Sequence, residues 1–113
     1  MGISAHWMVH YPYKEMKEFA SRREEEAHAM LHFESTFGQR HAAALSGIYD
    51  AVKLDYFGFD CAETTDGRLL VFELSNALII HACDDAAVFP YKLPQMHKIF
   101  AAFYTMLKNR LRG

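Results

Sequence analysis

The spacing of hydrophobic positions changes character several times along this chain, and each change predicts an element. Ser4 to Tyr11 alternate, with Trp7 and Val9 on one side and His6, Met8 and His10 on the other, which predicts a strand ended before Pro12. From Lys14 the period lengthens: Met16, Phe19, Ala20, Arg23 with its long stem, Ala27, Met30 and Leu31 keep helical spacing, and Arg22 to Glu26 form a mostly solvated flank. Gly38 marks a bend, and Phe37, His41, Ala44, Leu45, Ile48 and Val52 trace a second helical stripe. The period then shortens again. Tyr56–Glu63 and Arg68–Leu74 read as strands joined through Thr64, Thr65, Asp66 and Gly67, where Asp66-Gly67 suits a two-residue turn that needs positive φ. Beyond an irregular stretch from Ser75 to Tyr91, Pro94 can open a C-terminal helix whose apolar side is Met96, Ile99, Phe100, Phe103, Met106 and Leu107. Lys108, Arg110 and Arg112 suit the negative end of its dipole.

The order strand, helix, helix, strand, strand, loop, helix predicts an α+β domain, a small antiparallel sheet covered on one face by helices. Its 113 residues allow one domain, 1–113, and one modest core. Hydrophobic residues make up 51% of the chain and charged ones 23%, a composition that folds. Twelve basic against fourteen acidic residues give a net charge of -2, so neither a nucleic acid nor an anionic membrane is an expected partner. The longest apolar run is too short for a bilayer, and Cys61 and Cys83 form no CxxC pair; together they point to a soluble, cytoplasmic protein with free thiols.

Candidate chemistry concentrates on the hairpin. With Asp66-Gly67 as the whole loop, opposed residue numbers sum to 133, so Asp60 faces Glu73, Gly58 faces Ser75, Ala62 faces Val71 and Thr64 faces Leu69 on one side. The other side pairs Phe59 with Leu74 and Cys61 with Phe72. Two carboxylates directly opposed, with β-carbons roughly 5 Å apart, repel unless water, a proton or a cation intervenes. Mg²⁺ fits that need, since it takes hard oxygens from one or two carboxylates and completes its shell with water and phosphates. Ser75 or Asn76 just beyond Glu73 can add an oxygen.

At these residues the sequence resembles the C-terminal portion of the ATP-grasp superfamily, in particular bacterial glutathione-synthetase-like ATP-grasp proteins of uncertain substrate. The resemblance is carried by LDYFGFDCAETTDGRLLVFELSNALIIHACDDAAVFPYKLPQMHKIFAAF, Leu54 to Phe103, and by HWMVHY, His6 to Tyr11. It implies that Asp60 and Glu73 hold the Mg²⁺ that bridges ATP phosphates. The chemistry implied for a complete relative is carboxylate–amine ligation through an acyl phosphate. The family pattern Glu, any residue, Asn places Asn at position 75, where this chain has Ser75 followed by Asn76; an arginine used by some relatives two places before the metal Asp is replaced by Gly58. The preceding nucleotide-binding portion has no counterpart here. The resemblance therefore implies an Mg²⁺- and ATP-binding fragment that is incomplete as a catalyst, one that has lost the ligase activity or needs a partner carrying the missing portion. The alternative is a noncatalytic interaction or dimerisation domain derived from the same fold, for instance a homodimer.

Other residues carry weaker expectations. Glu24, His28 and His32 share a helical edge, a spacing that can bind zinc or nickel, but the sequence offers no fourth ligand and a partly exposed structural role is preferred. His81 is expected to make a loop hydrogen bond, Lys92 and Lys98 to be solvated, Cys61 to be buried, and Cys83 to be disfavoured as a thiolate by Asp84 and Asp85.

Overall fold

A computed structural model describes residues 11–78 and 80–113. The strand expected over Ser4–Tyr11 falls almost wholly outside the described residues, as do His6, Trp7, Met8 and His10. The described elements are α1 (Tyr13–Glu18), α2 (Ala20–Leu31), a π-helical segment (Glu34–Gly38), α3 (Ala42–Val52), β1 (Gly58–Glu63), β2 (Leu69–Ser75) and α4 (Lys92–Arg112). Helices with a small antiparallel sheet make this an α+β fold, as the periodicity predicts.

The first expected helix is two. Phe19 takes an extended conformation (φ -110°, ψ 113°), ending α1 and preceding α2, and its ring is 48% exposed rather than part of the buried stripe. Arg23 explains how the break is tolerated: its Nη1 donates to the Met16 and Lys17 carbonyls at 3.0 and 2.7 Å, satisfying acceptors that the end of α1 leaves open. Gly38 does sit at a change of helix geometry. Its N–H reaches back five residues to the Phe33 carbonyl at 2.9 Å, closing the π turn, while Phe33 stacks on Phe37. Lys53, in the left-handed region at φ 56°, ends α3 with its N–H on the Tyr49 carbonyl.

Met16, Met30, Leu45, Phe89 and Met96 are the buried apolar residues, and Glu26, His41, Lys92 and Gln95 are buried among polar ones. Phe89 is central: Tyr13 stacks on its ring at 5.9 Å, Tyr91 meets it edge-on, and the Lys92 ammonium lies 4.7 Å above it. Helix α4 begins at Lys92, two residues before the expected start, and Pro94 falls within its first turn, where a missing N–H costs no helical bond. The hairpin joins the rest through its ends. Tyr56 packs edge-on against Phe103, Arg110 grips Asp55 with two nitrogens at 2.6 and 2.7 Å, and Arg40 and His41 both reach the Glu63 carboxylate. Helical cover is incomplete: Leu70, Val71, Phe72 and Leu74 remain exposed, as do Phe100, Phe103, Tyr104, Leu107 and Leu111 on α4. The radius of gyration, 15.0 Å, exceeds the roughly 13 Å of a compact chain of this length. No helix among the described residues is long and apolar enough to cross a membrane.

Candidate metal-binding hairpin

The loop between the strands is longer than expected. Asp66 does not adopt positive φ, so the two-residue turn that would require it there does not form; Gly67 alone does, at 83°. Thr65, Asp66 and Gly67 instead form a three-residue loop in which the Gly67 N–H meets the Thr64 carbonyl at 3.0 Å and the Thr64 N–H meets the Arg68 carbonyl at 2.8 Å. Side chains hold it: the Thr64 hydroxyl contacts Asp66 and accepts the Arg68 N–H, and the Arg68 side chain donates to Asp66 at 2.9 Å.

This loop moves the upper half of the hairpin by one place. Cys61 faces Val71, Ala62 faces Leu70 and Glu63 faces Leu69, which corrects the expected pairs Cys61–Phe72, Ala62–Val71 and Thr64–Leu69. An irregularity between Asp60 and Cys61 then leaves Phe72 unpaired and 66% exposed, a β-bulge that takes up the extra residue. Below the bulge the expected register returns. Asp60 faces Glu73, Phe59 faces Leu74 and Gly58 faces Ser75.

Asp60 and Glu73 are therefore direct cross-strand partners, both solvent-exposed. Their donor set, hard carboxylate oxygens on a wet face, suits Mg²⁺ as a two-ligand site to be completed by water or phosphate. β2 ends at Ser75, so Asn76 lies in the following turn, freed from strand alternation. The Ser75 hydroxyl accepts the Ala77 N–H at 3.0 Å and so helps to shape that turn. No group of three or more His, Cys, Asp or Glu side chains suited to a metal occurs among the described residues. Leu78, just past that turn, covers Gly58: a β-carbon there would stand 2.8 Å from Leu78 Cδ1, so an arginine at this position would require the Leu78 side chain to shift.

The remaining candidates lie elsewhere. Lys92, expected to be solvated, is 9% exposed, and its ammonium lies 3.5 Å from both Glu26 and Asp84. Tyr91 donates to Glu26 at 2.6 Å; burial first, and that hydrogen bond second, raise its pKa well above the ordinary phenol value, so it remains a donor. This buried network was hidden by the run Arg22 to Glu26, which reads as a charged flank. The available clue is that Glu26 lies four residues before buried Met30, on the same side of α2. His81 makes the expected loop bond, its Nδ1 accepting the Cys83 N–H at 3.2 Å. Lys98 borders a depression of about 210 Å³ with Met30, Phe33, Glu34 and Gln95, to which neither Asp60 nor Glu73 contributes. His28 and His32 are both exposed, with ring centres 4.5 Å apart. No protein-family model matches the chain, and neither a curated protein nor a solved structure matches it.

Proposed function

We propose that the β1–β2 hairpin is the metal–phosphate half of a nucleotide site of ATP-grasp type, in a chain that is incomplete as a ligase. The observation that carries this reading is the direct pairing of Asp60 with Glu73 on an exposed face. Two opposed carboxylates bind a divalent cation weakly by themselves and more strongly when a nucleotide supplies phosphate oxygens. Asp60 and Glu73 would hold the ion, with the Asn76 amide as a further oxygen; when bound, Mg²⁺ offsets charge on transferring phosphate. The chain's own contribution is to keep the two acids in register and open to solvent. Adenine contacts and an amine-binding surface would lie outside these two strands.

A second reading, an interaction or dimerisation domain without catalysis, is favoured by the exposed apolar residues of β2 and of α4 from Phe100 to Leu111. The two are separated by calorimetric titration with a nonhydrolysable ATP analogue in magnesium. Saturable binding by the wild type, lost in a folded D60A/E73A variant, is the expected outcome. Folded wild type that binds no nucleotide yet forms a stable dimer in sedimentation overturns the nucleotide reading in favour of the second.

A further inference from the structure

The end of α2 carries two imidazoles on one helical edge. The His32 N–H still meets the His28 carbonyl at 3.1 Å, so the helical phase runs through the pair and sets the rings side by side. The His32 backbone is held firmly: its carbonyl accepts the Thr36 N–H at 3.0 Å, the Thr36 hydroxyl at 2.7 Å and the Ser35 hydroxyl at 3.1 Å. Neither ring is packed in the core, in keeping with the exposure expected of these histidines.

Their separation is informative. A metal–nitrogen bond of about 2.0–2.1 Å puts each imidazole centre about 3.2 Å from the ion, so two rings at a right angle have centres about 4.5 Å apart, and two at a tetrahedral angle about 5.2 Å. The observed 4.5 Å equals the right-angle separation once a nitrogen of each ring turns toward a common ion. Position helps as well, because the carbonyl end of a helix favours a cation.

We infer that His28 and His32 form a two-histidine site for a tetragonal divalent ion of the copper or nickel class, independent of the hairpin and of nucleotide. No third His, Cys or carboxylate among the described residues completes a closed cage, so water or an external ligand fills the remaining positions and the site exchanges its ion readily. Copper(II) is the more sensitive probe, since nitrogen sites bind it most tightly in this series.

The test is titration of untagged protein with copper(II), followed by electron paramagnetic resonance and calorimetry. One equivalent should bind with a tetragonal spectrum showing two nitrogen donors. Each of H28Q and H32Q should lower the affinity about tenfold or more, at least what the loss of an outer-shell partner costs, and the double variant should abolish the signal. H81Q/H97Q should leave it unchanged. Both rings of the pair are exposed, so the variants keep the fold, which circular dichroism checks. A two-nitrogen spectrum that survives in H28Q/H32Q, a signal lost instead in H81Q/H97Q, or no stoichiometric binding overturns the inference.

Discussion

Cys61 sits half-buried in β1, and both of its surroundings act against the thiolate: burial raises its pKa most, and the adjacent Asp60 charge raises it further. Cys83 is exposed. At pH 8, iodoacetamide should therefore modify Cys83 several-fold faster than Cys61, as peptide mass spectrometry can follow. D60N should speed Cys61 roughly twofold and leave Cys83 unchanged, because the substitution removes one of the two effects on Cys61. Equal rates for the two thiols in the wild type would contradict the burial of Cys61. At this scale the apolar side chains were largely legible, since Met16, Met30, Leu45 and Met96 all belong to the predicted stripes or the predicted helix face. Charged residues were not. Glu26 and Lys92 stabilise each other across 66 positions of sequence, and no local pattern reports so distant a pairing.

Among the elements, the hairpin is fastened through Glu63 to the junction between the π segment and α3. Arg40 first and His41 second hold the Glu63 carboxyl below its ordinary pKa of 4.5. A carboxyl depressed on folding adds stability above its unfolded pKa, and that stability is lost as pH falls through the folded value. Acid unfolding followed by circular dichroism should therefore be less steep below about pH 4.5 in E63Q than in the wild type. Coincident acid limbs would show that the contact adds no pH-dependent stability. Element order and type followed from periodicity, but boundaries did not. Phe19 continues the helical pattern yet breaks the helix, and an arginine seven residues downstream of Met16 makes that break tolerable. Asp66-Gly67 favoured a two-residue loop, whereas Thr64 and Asp66 side-chain bonds close a three-residue one.

For the molecule as a whole, α2 and the start of α4 meet over a buried charged network rather than over a continuous apolar seam. Removing Lys92 would take away the ammonium that lies 3.5 Å from both Glu26 and Asp84, a loss of about 3–5 kcal/mol for a buried pair. K92M should thus lower the urea midpoint far more than Y91F, which removes one hydrogen bond worth about 1–3 kcal/mol. E26Q/K92M should be less damaging than the sum of its single variants, since the two groups share one interaction. Additive losses would show that the network is not cooperative. The candidate site was legible at its base, where Asp60 meets Glu73, and illegible above it, where loop closure decided the register.

The bulge at Phe72 and the three-residue loop are two halves of one offset. Contracting the loop to Asp66-Gly67 would draw Phe72 back into the ladder opposite Cys61 and turn every pair above Asp60 by one position, while Asp60 and Glu73 kept their places. The offset is thus confined to the loop side of Asp60, where every pair depends on how the loop closes, and it leaves the acids undisturbed. Two neighbouring carboxylates below the bulge keep their pairing whichever way the loop closes, a constancy that no position higher in the strands shares.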